Sequence, residues 1–414
     1  MKVTVDRRPM LEALRVLGKV VAGPGVGRPM LANVLLRAGT PAEGVLHLAA
    51  TDLEVYVQVH VPAEVVLRRG SGQTGKAGAC CARADVMGEA LAASGSETAT
   101  MSWEDGAEEL RLEADGAEWV LVCEDGADFP EAPPAPSPLP WSLPAPTLER
   151  LVRQSAYAVA GEKGRYALNG IFLHARVEEL RAAGANGAVL ALAWGEVQEP
   201  WTVPNEEGTA CPLAILVPPR VFDLALAAVV PDPEDEDDEA PPAMLGLGLV
   251  ENTLFLRGEC GSVAAQLIEG EFPNYEEVLP HPPFKAELRI GRLALRRAMR
   301  QAQVTTNEMS VAVDVGIGAT PAHVLLGSEA ADVGASSVDL AGGCICELTG
   351  EPCTMALNPA NVLDALRAMG GDEVTVKVKD ARSPLVIECE GPSATLRTGA
   401  LAVISPVIRP EDGA

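Results

Sequence analysis

A pattern that recurs three times, at a spacing of roughly 135 to 140 residues, constrains this chain more than any other feature of its sequence. Asp128-Phe129-Pro130 closes the first copy, Glu271-Phe272-Pro273 the second, and Ser405-Pro406 stands at the matching place near the C-terminus. The openings correspond as well. Val3-Thr4-Val5 precedes an amphipathic stretch at 10–17, Trp141-Ser142-Leu143 one at 148–155, and Leu288-Arg289-Ile290 one at 293–301, each reading as strand, turn and helix. A second helical stretch follows in every copy, at 86–91, 221–226 and 362–366. The unit is too long for a solenoid repeat and about the size of a small domain, so three similar domains are expected.

Between the helices the apolar and polar residues alternate, as in Glu109-Leu110-Arg111-Leu112-Glu113 and Val374-Thr375-Val376-Lys377-Val378, which marks half-buried antiparallel strands. The expected class is α+β, each domain two helices packed on antiparallel sheets. Boundaries fall at 1–137, 138–283 and 284–414, with linkers in the proline-rich stretch 131–146 and at His281-Pro282-Pro283. The acidic run inside 231–242 reads as a solvated loop of the second domain. No apolar run approaches the ~18 residues of a membrane span, and Met1-Lys2-Val3-Thr4-Val5-Asp6 lacks a signal peptide's apolar core, so a cytoplasmic protein without a membrane partner is expected. Nine cysteines without regular spacing fit reduced thiols.

Several stretches then resemble one family in order along the chain. Met1-Lys2-Val3-Thr4-Val5, Gly27-Arg28-Pro29, Asn33-Val34-Leu35-Leu36 and Ala50-Thr51-Asp52-Leu53-Glu54 are similar to the first domain of the bacterial DNA polymerase III beta subunit, the sliding clamp. Arg165-Tyr166-Ala167-Leu168-Asn169-Gly170 and Gly270-Glu271-Phe272-Pro273-Asn274-Tyr275 resemble its second domain, and Thr306-Asn307-Glu308 with 358–366 its third. The resemblance implies half of a closed ring: a homodimer of three-domain subunits around duplex DNA, held without regard to sequence. It also implies a pocket that takes short linear peptides from the replicative polymerase, the clamp loader and repair polymerases.

The net charge of −26 looks wrong for a DNA-binding chain. Yet the six helical stretches, taken as 7–20, 82–94, 147–160, 218–229, 291–303 and 358–370, hold 13 basic and 6 acidic residues, so the acid lies elsewhere. With the helices lining a hole, the resemblance implies a mildly basic lumen inside an acidic wall that repels DNA. Its DNA contacts would be Arg28, Arg150, Arg153, Arg292, Arg296, Arg297 and Arg300, to phosphate and therefore without sequence reading. The peptide pocket would use Arg165, Leu168, Pro273, Val278, Asn358, Val403, Ile404, Pro406 and Val407, residues that also suit plain packing. Trp119, Val304 and Thr305 would meet at the dimer contact, with Trp119 equally fitted to a core.

Departures from the family matter at the pocket. Ala193-Trp194-Gly195-Glu196-Val197 stands near the place of the family's Thr-Asp-Gly-His-Arg-Leu loop, Ala167 replaces a usual aromatic and Ser405 a common methionine, and the tail extends to Ala414. A divergent clamp with altered peptide affinity is expected. No phosphate loop, nucleophile elbow or paired histidines suggest an enzyme or a cofactor. Cys344, Cys346 and Cys353 have poor zinc spacing, and Asp52 with Glu54 fits a turn better than an acid/base pair. The alternative from another class is a clamp-derived acidic interaction protein that binds partner peptides or other clamps without encircling DNA.

Overall fold

A computed structural model of the chain describes residues 1–21, 29–66, 78–104, 106, 108–161, 166–197, 200–204, 209–230, 241–319, 322–340, 345–391 and 398–408. Among the described residues six α-helices occupy the expected places: α1 (Arg7–Leu17), α2 (Ala84–Ala93), α3 (Ala145–Ala156), α4 (Pro219–Val229), α5 (Arg292–Ala302) and α6 (Pro359–Ala368). The strands pair antiparallel, so the α+β class stands. The acidic run at 231–240 and Cys344 lie outside the described residues.

Contacts divide the chain into two compact units, and the middle repeat is shared between them. The first unit holds 1–146 with 220–267, the second 147–219 with 268–414. The reason is that sheets run on from one repeat into the next. In the first unit Val55–Val66 pairs with Gly261–Gln266, register Val59 to Gly261 and Val55 to Ala265, inside a 12-stranded sheet. Val55, Val57, Val59 and Val61 alternate inward and are buried. In the second unit Val189–Glu196 pairs with Gly399–Ile404 inside a 9-stranded sheet. The last residues of the proline-rich stretch are structured in the first unit: Trp141–Pro144 pairs with Met244–Val250. A side chain at Gly246 or Gly248 would press on Leu139 and, at Gly248, also on Pro136 and Pro140.

Within the first unit α1 packs on α2, and within the second α5 packs on α6. α1 buries Met10, Ala13, Leu14 and Leu17, and α5 buries Leu295, Ala298, Met299 and Ala302, the same i, i+3, i+4, i+7 stripe. Both helices start with an arginine, a poor choice against the helix dipole unless the guanidinium has other work. Arg7 donates to the carbonyls of Leu91 and Ser96 at the end of α2, and Arg292 donates to those of Leu366 and Gly371 at the end of α6. Each arginine thus adds donors to carbonyls at and just beyond the C-terminal end of the partner helix, the Leu91 carbonyl also accepting from the Ser94 amide. The correspondence between copies extends to single hydrogen bonds.

Asp52 and Glu54 occupy a turn, as expected. Asp52 accepts from the amides of Glu54 and Val55, Leu53 takes φ 77°, and both carboxylates reach Arg220 at 2.9 Å. Ala193 to Glu196, set near a loop by the resemblance, belong to a strand here.

Candidate partner groove, basic helix face and sheet edges

An apolar groove of about 210 Å³ opens in the second unit. One wall is the hairpin of Glu179–Ala185 and Val189–Glu196, turned through Asn186-Gly187. Asn186 accepts from the amides of Ala188 and Val189, and Gly187 takes φ 92°, a conformation that favours glycine. Ala185, Gly187, Ala188, Val189 and Leu190 line this side. Phe272, Pro273, Tyr275 and Val278 form the opposite wall, and Leu168, Pro384, Val403 and Ser405 complete it. The amide of Ser405 donates to the carbonyl of Ala188, fixing the chain end against the hairpin.

The aromatic wall is held rigidly. Phe272 stacks on Phe172 with centroids 5.0 Å apart, and Tyr275 packs edge-on to Phe172. The Tyr275 hydroxyl lies 3.1 Å from His174 Nδ1 and 3.5 Å from Arg181. Burial, with Arg176 and Arg181 nearby, lowers the His174 pKa, which keeps the ring neutral and able to share a hydrogen bond with the phenol. Arg181 is bound to Glu179 and Glu276, and Arg176 to Glu276.

Of the residues expected at the pocket, Leu168, Pro273, Val278 and Val403 line the groove, and Val278 is 50% exposed. Arg165 lies outside the described residues. Asn358 does other work: it caps α6, its side chain accepting from the Ala360 amide ahead of Pro359. Strand alternation buries Ile404 on the other face, and Val407 bonds to the Ala356 carbonyl and lines a separate cavity with Asp314, Thr354 and Arg382. Pro406, between them, is not among the groove's lining residues. Phe272, Tyr275, Leu190 and Pro384 were not singled out from the sequence. Phe272 and Tyr275 stood inside the quoted motif, whereas the alternation of 185–190 could not say which face would stay open.

The basic residues separate into two groups. Arg292 is committed to α6, and Arg150 donates to Gln154 and to the Trp194 carbonyl, half-buried, its pKa lowered by burial. Arg297 and Arg300 are exposed on the face of α5 opposite its buried stripe, and Arg296 is half-buried beside them. None of these three has an ion pair among the described residues. Arg153 is exposed, 4.0 Å from Glu149. Arg15, Arg153 and Arg300 each stand in the last turn of a first helix, five residues after a buried Met10, Leu148 or Leu295. Arg15 is thus the counterpart that the site expectation left out. Arg28 lies outside the described residues.

Among the described residues, two of the sheet edges lie at or near the residues expected at the dimer contact. Residues 117–122 of the strand Ala117–Asp125 have, among the described residues, a strand neighbour on one side only, Glu109–Ala114. Trp119 is half-buried opposite Leu112, while Val120 and Val122 on the other face are 51% and 83% exposed. Gly334–Leu340 ends the four-stranded sheet of the second unit. Near it Val304 is 72% exposed, and Thr305 is bonded inward to Ser328, which bonds to the Ala302 carbonyl at the end of α5.

Among the described residues no three His, Cys, Asp or Glu side chains gather to hold a metal ion, and no helix is long and apolar enough to cross a membrane. Cys80, Cys81, Cys123, Cys211, Cys260, Cys353 and Cys389 form no disulfide, and burial pushes the Cys81 thiol up to about 12.

No family model matches the chain. Curated relatives do. The beta sliding clamps of Proteus mirabilis and Escherichia coli strain K12 are each 25% identical over 393 residues, covering 94% of this chain and 96% of theirs. The beta sliding clamp of Salmonella typhimurium is 26% identical over the same length. The solved sliding clamp of Pseudomonas aeruginosa bound to griselimycin superposes with a TM-score of 0.80 at 21% identity, over 99% of this chain and 100% of that one. The beta subunit of Streptococcus pyogenes DNA polymerase gives 0.81 at 15% identity, again over 99% and 100%. At such identities the structural likeness establishes the fold.

Proposed function

We infer that this chain, a divergent member of the bacterial beta sliding clamps, is a processivity factor: two copies close around duplex DNA and tether the replicative polymerase and other partners by short peptides. The observation that carries this reading is the segregation of charge in a clamp fold. α5 bears four arginines and no acidic residue in a chain whose net charge is −26. Flexible guanidinium groups that meet phosphates without reading bases give weak, sequence-independent attraction, and the acidic remainder repels DNA from every other surface. A duplex is then tolerated in one place and free to slide there.

Closure would use two of the sheet edges, 117–122 of one copy beside Gly334–Leu340 of the other, with Val120, Val122 and Val304 covered on pairing. The groove between Leu190 and Phe272 would receive the partner peptide: it is apolar, preformed and held by stacked rings. The protein would act in the cytoplasm as a tether with no catalytic step of its own. The three domains of the ring would follow the repeats at 1–137, 138–283 and 284–414.

Sedimentation or mass photometry over a concentration series tests the reading. A dimer at micromolar concentration is expected. A monomer throughout that range would favour the clamp-derived interaction protein that does not encircle DNA.

A further inference from the structure

We propose that the groove is charge-selective, taking apolar peptide segments flanked by Lys or Arg in preference to segments flanked by Asp or Glu. The inference rests on the groove being a peptide site and adds which peptides it prefers. Its aromatic wall is one short segment in which Phe272, Pro273, Tyr275 and Val278 are interspersed with Glu269, Glu271, Glu276 and Glu277, all four of these glutamates exposed. Gly270, at φ 141°, seats this segment against Ala167, next to the lining residue Leu168.

Among the described residues, the arginines that lie against this wall are already engaged. Arg176 and Arg181 lie against Glu276, and Arg181 also against Glu179. Glu277 accepts from the Asn274 side chain. Glu269 and Glu271 have no ion pair or hydrogen bond among the described residues. At the Pro384 end, Asp380 is closed on the amides of Arg382 and Ser383, and Arg382 has a partner of its own. A peptide whose apolar side chains fill the groove therefore sets its flanks beside uncompensated carboxylates. Such rim charges act mainly on choice of partner and on association rate, and salt screens them.

The test uses the full chain and fluorescence anisotropy with a panel of labelled peptides that share Leu- and Phe-containing apolar cores. Each core is flanked by two Lys, two Glu or two Ser. At about 50 mM salt the Lys-flanked peptides are expected to bind roughly three- to tenfold tighter than the Glu-flanked ones, a gap that narrows at about 300 mM. The double variant E269Q/E271Q should lose most of the gap while binding the Ser-flanked peptide as before, which also reports that the groove is intact. Equal affinity at low salt, or a gap that survives E269Q/E271Q, overturns the selectivity and leaves the groove reading standing. No binding by any peptide of the panel overturns the groove reading, and the selectivity with it.

Discussion

Arg292 and Arg300 sit on one helix and have different fates. Arg292, at the first position of α5, spends its guanidinium on two carbonyls at the end of α6, while Arg300 projects from the last turn into solvent. R292A should therefore cost stability, about 1–3 kcal/mol for charge-assisted bonds to carbonyls, in a denaturant titration. R297E/R300E should leave the melt unchanged and weaken DNA association, with the slope of log K against log salt falling by roughly 2. Sequence spacing placed all four α5 arginines in one expectation, because it cannot tell a side chain that bridges to a second helix from one that does not. Acid should also act at single residues. His47 and His60 meet edge-on at 4.8 Å, and burial first, then the charge of His47 and of Arg257, lowers the His60 pKa; burial likewise lowers that of His47. A folded-state pKa below the unfolded value means that the unfolded chain binds protons first. Stability from these rings is complete above about pH 6.5 and is lost as pH falls through the folded pKa. His60→Phe, which keeps the packing and cannot titrate, should flatten the decline in melting temperature between about pH 7 and pH 5; an unchanged slope would refute this account.

At the scale of elements, the six helices were legible because their i, i+3, i+4 stripes recur in each copy. Met10, Leu148 and Leu295 begin equivalent buried stripes on the first helices of the three repeats. The strands were legible from alternation, but their partners were not. The pairing of Val55–Val66 with Gly261–Gln266 joins residues about two hundred positions apart, and no local pattern encodes it. That pairing is why the middle repeat contributes to both compact units. The groove was half legible: Leu168, Pro273, Val278 and Val403 came from resemblance, whereas Leu190 and Tyr275 depend on which strand face stays uncovered. Phe272→Ala should raise the peptide dissociation constant by about tenfold or more, since it removes a lining ring that stacks on Phe172. At the open edge Val122 is 83% exposed, so Val122→Asp should weaken self-association in sedimentation while leaving peptide binding intact.

For the whole molecule, a net charge of −26 sets two salt dependences against each other. Subunits that repel should associate more tightly as salt rises from about 50 to 200 mM, whereas contact with DNA phosphates should weaken over the same range. Both can be followed on one preparation, by sedimentation and by DNA binding. The central claim is topological: the chain holds DNA by enclosing it, with little affinity for the duplex itself. Its most direct test is retention on DNA of different topology, measured by gel filtration after loading onto a nicked circle at physiological salt. Retention on the circle and prompt loss once a single cut makes it linear is the predicted result. Equal retention on circular and linear DNA, or none on either, would contradict it.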